Sequence, residues 1–421
     1  MLADPAAGQS AMDRVASLTG MRAVAALLVV GTHAAFGTGV LTHGYLGLMM
    51  ARLEIGVSIF FVLSGYLLFR PWVRSAADGV PAPSVSRYGR HRIRRIMPAY
   101  VVTVLAAYLL YQFHFATPNP GHTWMGLLRH LTLTQIYSDH YLTTQLHQGL
   151  TQMWSLAVEA AFYVALPLLA YLLLKVLCRG QWRPGVLLAG LAGLAAFSLA
   201  WQLIYLVTHW LPSSAGMWLP GHLLYFVGGM ALAALQVMGV RCHWSAVIPL
   251  AVVGFLIVST PIAGEMLVPI QPWQPLVKAV FYALIATLTV APLALGDDGA
   301  YARLLGSRPM VWLGEISYEV FLLHVVVMEI VMSSVLRWPI FTGSPVGLFA
   351  MTLVLTVPLA WLLHRLSTGH RSPSTVGTRW TLRRRPLHRK TAASLGALHA
   401  WVPDSSTAEP TLRPAVAVVP S

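Results

Sequence analysis

Charge is scarce in this sequence. Of 421 residues, 28 are Lys or Arg and 14 are Asp or Glu, about 10% in all, where a soluble globular domain carries roughly 25%. A water-facing surface around a chain of this length cannot be built from so few charges. Cysteine is scarcer still. Two cysteines, Cys178 and Cys242, neither in a paired Cys-x-x-Cys, exclude a disulfide scaffold and point to inert thiols. There is no Walker loop, dinucleotide fingerprint or His-Glu-x-x-His motif, so the common nucleotide folds and zinc hydrolases are set aside and no metal is expected. What the chain has instead is apolar bulk: 57% hydrophobic residues, with 14 Trp, 15 Tyr and 14 Phe, and a mean hydropathy of +0.66. That composition excludes disorder and collagen-like repeats and fits a polytopic membrane protein.

A helix needs about 20 mainly apolar residues to cross the roughly 30 Å hydrocarbon layer. Ten runs qualify, near residues 22–40, 55–72, 96–115, 157–177, 185–208, 217–238, 245–263, 275–295, 314–336 and 345–366. The expected fold is therefore all-α, a membrane helix bundle over 17–366, preceded by a short segment 1–16 and followed by a disordered, basic, Pro-rich tail 367–421. A formal charge of +14 would suggest nucleic acid in a soluble protein. Here the basic residues sort by side. With the N-terminus in the cytoplasm, 24 of the 28 lie on that side and only Arg52, Arg129, Lys278 and Arg337 on the other, the bias that cytoplasmic loops show. Both termini are expected in the cytoplasm, with the tail against anionic lipid and no nucleic-acid partner. The first run has no Ala-x-Ala type cleavage signal and reads as a retained span. The segment from Thr117 to Met153 is expected to face outward and lie in the interface.

Ionisable groups inside the layer are costly and so mark candidate sites. Arg22 and His33 stand eleven positions apart in the first run, within about 20° of one helix face and about 16 Å apart along the axis. A group held by the arginine at its phosphate end could thus present its reactive end to the imidazole; the alternative is a topology anchor and a buried hydrogen-bonding histidine. Ser155, Glu159 and Tyr163 form a stripe at four-residue steps in the fourth run, with Glu159 expected in the outer part of the layer. The ninth run holds Glu315, Tyr318, Glu319, His324 and Glu329; the first two glutamates are expected in the cytoplasmic headgroup zone. Arg92 and Arg95, one turn apart in RYGRHRIRRIMPAY, can clamp a phosphate with paired guanidinium forks, although such loops are also basic for topology alone. Leu63-Ser64-Gly65 lacks the preceding glycine of a nucleophile elbow and reads as small-residue helix packing.

Together these pieces resemble the acyltransferase-3 family of bacterial integral-membrane acyltransferases. The likeness rests on LTGMRAVAALLVVGTHAAF, GVSIFFVLSGYLLFRPW, RIRRIMPAY, WSLAVEAAFY and ISYEVFLLH, in family order from about residue 17 to 366. The resemblance implies transfer of an acyl group, commonly acetyl, from cytoplasmic acyl-CoA to a hydroxyl of a carbohydrate, glycolipid or glycosylated small molecule. Acyl-CoA would be a co-substrate, with no permanently bound cofactor, at the bacterial cytoplasmic membrane. By motif position His33 would be the catalytic imidazole, Arg22 its partner, Arg92 and Arg95 the pair on the CoA phosphates, Glu159 the acid of the Trp-Ser-Leu segment beside Ser155, and Tyr318 and His324 the late aromatic and histidine. Two departures are visible: Ala160-Ala161 replaces a second acid and a glutamine, and Ala23 replaces a frequent glycine. The chain also reads as the form without an attached extracytoplasmic hydrolase-like domain. On this reading His33 is the general base on the acceptor hydroxyl, a task suited to an imidazole, oriented by Glu159 or His324, with an acyl-histidine route as a variant. The rival reading is a glycolipid transporter or flippase with an intramembrane His/Glu proton relay, against which no inverted repeat or paired broken spans appear.

Overall fold

A computed structural model describes residues 5–113, 119–138, 147–208, 210–264 and 271–368. The expected tail, and the start of segment 1–16, lie outside the described residues. Among those described there are helices and turns and no strand, as an apolar medium that offers backbone groups no partners requires. In chain order the helices are α1 (Pro5–Gly37), α2 (Gly44–Ala51), α3 (Ile55–Ala77), α4 (Val85–Phe113), α5 (Trp124–Leu131), α6 (Met153–Ala170), α7 (Pro184–Val207), α8 (Leu219–Val237), α9 (Trp244–Val258), α10 (Gln274–Leu295), α11 (Ala300–Leu305), α12 (Arg308–Glu315), α13 (Ser317–Ile330) and α14 (Pro345–Thr368). α6 runs on as a π-helical segment over Tyr171–Leu177, and α13 over Val331–Val335.

Nine described segments are long and apolar enough to cross a membrane, which makes this a multi-pass membrane protein. The seventh expected run, 245–263, forms a shorter apolar helix, the 15-residue α9, about 22 Å long, which with the nine longer segments makes about ten. It ends at Ser259, beyond which lies a short turn, Pro261–Ala263, and then Gly264 at φ +78°. The ninth run does not begin at Gly314. The chain breaks at Ile316 between α12 and α13, where the Ser317 hydroxyl donates to the Gly314 carbonyl at 2.8 Å. The third run begins earlier than its hydropathy indicates: the basic stretch 87–95 is helical and continuous with it in α4.

α3 and α8 cross at glycines. A Cβ on Gly65 would collide with the Phe226 carbonyl, and one on Gly229 with the Val62 carbonyl, so the backbones touch, as small residues allow between helices in lipid. Phe226 stacks on Phe61 and on Phe162, ring centroids 4.6 and 4.0 Å apart, which ties α6 to the same core. A Gly229→Ala substitution is expected to cost about 1–3 kcal/mol through overpacking and to lower the thermal midpoint in detergent. Gly89→Ala, whose added carbon meets nothing within 4 Å, should leave that midpoint in place.

The described part of the segment from Thr117 to Met153 carries α5 and two buried histidines, His130 and His147. Thr123 caps α5 by accepting from the Gly126 amide at 2.9 Å. Its apolar Trp124, Met125 and Leu128 are exposed while His130 is fully buried, the inverted pattern of a helix lying against lipid. His122, His130 and His147 gather around Tyr108; burial, with the other two histidines adding, pushes His147 down to about 3. Cys178 and Cys242 are free, and burial raises both thiols.

Candidate active site

α1, α3, α4, α6 and α13 meet around a cavity of about 90 Å³ lined by Arg22, Arg92, Arg95, Ser155, Glu159, Tyr163 and Tyr318, with Ser64, Val57, Phe60, Phe61, Leu156 and Phe321 among its other walls. Six of the eight candidate residues read from the sequence thus face one space. The reason is periodicity. Ser155, Glu159 and Tyr163 share a face of α6, and Arg92 and Arg95 share a face at the start of α4, so two helices suffice to bring five polar side chains together.

The electrostatics of the cavity are lopsided. Arg22 lies within charge range of Arg95, Glu159, Tyr163 and Glu319, and Arg92 within range of Arg95, Tyr163, Tyr88 and Glu159. No ion pair among the described residues ties any of the three guanidinium groups to a carboxylate. Three cations and one carboxylate line the cavity, an excess that attracts an anion with several charges. Arg94, on the same turn, is exposed and is not among the residues lining this cavity.

Glu159 sits deeper than its distance along the helix indicated. It was expected in the outer part of the layer; it shares the cavity with Arg22, Arg92 and Arg95. The cause is that α6 begins inside the protein. Gln152 and Met153 are buried, and the Gln152 amide donates to the Leu322 and Phe321 carbonyls at 2.9 and 3.4 Å. Glu159 accepts from the Ser64 hydroxyl and is hydrogen-bonded to Tyr163. Ser64 was assigned to packing alone. Gly65 does the packing, and Ser64 on the adjoining face holds the carboxylate. Glu319 is buried inside the protein, 4% exposed, and accepts from His364 Nδ1 at 2.9 Å. Tyr318 lines the cavity and donates its hydroxyl to the Ile96 carbonyl at 3.0 Å, joining α13 to α4. Glu329 pairs with the Tyr111 hydroxyl at the other end.

His33 and His324 are not in the wall of this cavity; they form a pair of their own, ring centroids 5.0 Å apart, edge to face. Of the two groups proposed to orient His33, His324 is the one in contact; Glu159 is not, because its face of α6 turns to Ser64 and the arginines. The hydrogen bonds fix the tautomers. His324 Nδ1 lies 2.8 Å from the Phe321 carbonyl and 3.2 Å from that of Val320, so it carries the proton and Nε2 presents a lone pair. That lone pair lies 3.4 Å from His33 Nδ1, which also lies 2.8 Å from the Val29 carbonyl. His33 Nδ1 is therefore a donor, and His33 Nε2 holds the free lone pair a general base needs. Removing the acceptor through His324→Ala is expected to slow acyl transfer about tenfold, less than loss of the base itself, with substrate affinity unchanged; initial rates and KM on purified protein check this.

Glu54 was missed. It is the carboxylate whose charge reaches His33, and it is held by an ion pair with Lys278 and by the Tyr282 hydroxyl at 3.1 Å. The turn bearing it is anchored by Arg52, fully buried, whose guanidinium donates to the Val258 carbonyl at 3.0 Å and to that of Gly264. Its position two residues from Arg52, in the short turn before α3, gave no periodic signal.

The described residues contain no cluster of three or more His, Cys, Asp or Glu placed to hold a metal. Comparison with known proteins gives a consistent picture. The acyltransferase-3 model, described as an acyltransferase domain, matches residues 15–365. Acyltransferase MdmB of Streptomyces mycarofaciens is 32% identical over 342 residues, 75% of this chain and 79% of that protein. Peptidoglycan O-acetyltransferase OatA of Listeria monocytogenes is 26% identical over 74% of this chain and 49% of its own length, and O-acetyltransferase OatA of Staphylococcus aureus 21% over 74% and 51%. The chain thus spans about half the length of these two relatives. No solved structure matches. With a matched domain covering nearly all of the helical bundle, the chain belongs to the acyltransferase-3 family of bacterial integral-membrane acyltransferases.

Proposed function

We propose that this membrane O-acyltransferase takes a short acyl group, acetyl first of all, from acyl-CoA at the cytoplasmic face and transfers it to a hydroxyl of a carbohydrate, glycolipid or glycosylated small molecule. The observation that carries the donor reading is the convergence of Arg22, Arg92 and Arg95 on one cavity with a single carboxylate among them. The CoA phosphates supply the charge that this surplus attracts. The cavity extends from the arginines to Phe321, whose ring lies 6.0 Å from that of His324, so a thiol arm anchored at the arginines runs toward the histidine pair. Placing both termini in the cytoplasm of a bacterium, at its cytoplasmic membrane, follows from the side on which the basic residues gather. The acceptor class rests on the relatives named as O-acetyltransferases, one of them of peptidoglycan.

In the reaction, the acceptor hydroxyl gives its proton to His33 Nε2 as its oxygen attacks the thioester carbonyl. The C–O bond forms, the C–S bond breaks, and the imidazolium returns the proton to the departing CoA sulfur. His324 Nε2, accepting from His33 Nδ1, supports the positive charge in between. Glu159, fixed by Ser64 and Tyr163, and Ser155 and Tyr318 shape the donor cavity. Incubating purified protein with labelled acetyl-CoA and envelope glycolipid or peptidoglycan fragments tests the proposal. Release of CoA with label on the lipid or glycan is expected; intact acetyl-CoA with unlabelled acceptors would contradict it.

A further inference from the structure

The acyl group must reach the histidine pair from the arginine-lined cavity, and one side chain touches both places. Phe321 lines the cavity and its ring centroid stands 6.0 Å from that of His324. Phe60 lines the cavity too and meets Phe321 edge to face, centroids 6.4 Å apart. The rings come from different helices, α3 and α13, and stand together in the cavity wall on the side of His324. Phe321 is not free to swing its backbone aside. Its carbonyl accepts from His324 Nδ1 at 2.8 Å and from the Gln152 amide at 3.4 Å, and the residue is 8% exposed. Val57 and Leu156 line the same cavity. The side of this cavity of about 90 Å³ that faces His324 is therefore walled by two aromatic rings.

We infer that Phe60 and Phe321 set the length of the acyl group, admitting chains of two or three carbons to the histidine pair and rejecting longer ones. This rests on the acyl-CoA reading above. A thioester carbonyl placed for attack beside His33 directs its carbon chain onto these rings, and each methylene that finds no room there costs heavily in a packed apolar site. Val57 and Leu156 frame the slot; the two phenylalanines close it.

Displacement of labelled acetyl-CoA from purified full-length protein by butyryl-CoA and hexanoyl-CoA measures this without an acceptor. In the unaltered protein hexanoyl-CoA is expected to compete about tenfold or more less well than acetyl-CoA. Phe321→Ala and Phe60→Ala are each expected to narrow that gap to about threefold or less while acetyl-CoA still binds; Phe321→Leu serves in place of the alanine variant should the latter misfold. Equal competition by hexanoyl-CoA in the unaltered protein, or an unchanged gap in variants that bind acetyl-CoA, would overturn the assignment of the two rings and leave the donor reading intact. Failure of the unaltered protein to bind acetyl-CoA at all would overturn the donor reading and this inference with it.

Discussion

His33→Ala is expected to lower acyl transfer about a thousandfold in a protein whose melting curve is unchanged, because it deletes the only lone pair that the hydrogen-bond network leaves available at the histidine pair. Tautomers decide which nitrogen is the base. The Val29 carbonyl at 2.8 Å and the His324 lone pair at 3.4 Å both require the proton on His33 Nδ1. Nε2 is then the base, without any rearrangement. His324 cannot substitute, since its Nδ1 is committed to the Phe321 and Val320 carbonyls and its Nε2 faces His33. It follows that the double variant His33→Ala with His324→Ala should be no slower than His33→Ala alone, as expected for residues acting as one unit. Rates from single-turnover transfer of labelled acetyl groups measure both. An enzyme retaining full activity without His33 would remove the imidazole from the chemistry.

The second large effect is on donor binding. Arg92→Ala and Arg95→Ala are each expected to raise the acyl-CoA concentration for half-maximal rate about tenfold, and the pair together about a hundredfold, given about 1.5–3 kcal/mol for each hydrogen bond to a charged group. Salt gives an independent sign. Raising ionic strength weakens attraction between charges that water reaches, and Arg95 is exposed. The unaltered protein should therefore require more donor as salt rises, and the double variant should respond less steeply. Arg94→Ala is the control, since Arg94 shares the basic stretch and the turn but not the cavity. Equal effects from all three substitutions would reduce the stretch to a topology signal.

How far the sequence spoke for the structure depended on whether a feature was local. Helix faces were legible: Ser155, Glu159 and Tyr163 share a stripe because they are four apart, and Arg92 and Arg95 share a turn because they are three apart. The bundle itself was legible from apolar runs bounded by charge. Features that depend on which helix crosses which were not. Nothing around Glu159 indicates that its oxygen meets Ser64, 95 positions away, or that Gln152 sinks the start of α6 under the Phe321 carbonyl. The pairing of His33 with His324 spans 291 positions; the sequence offered it only as one of two choices. Glu319 looked peripheral because hydropathy places a span edge at Gly314 and is blind to His364, 45 positions away, which donates to it. Glu54 carried no pattern at all. Its importance comes from the turn that Arg52 pins by two backbone carbonyls of distant segments, an arrangement without a sequence period.

In the proposed reaction the donor is held at the arginine cavity from one side of the membrane, and the acyl group passes to an acceptor at the histidine pair. Proteoliposomes test it most directly. With the protein oriented uniformly, acetyl-CoA is supplied only on the side of Arg92 and Arg95, and a glycolipid or glycan acceptor only on the other. Labelled acceptor is predicted to accumulate across the sealed bilayer, and to be lost in His33→Ala and when acetyl-CoA is moved to the opposite side. Equal labelling with acetyl-CoA on either side, or labelling that survives the loss of His33, would contradict the account.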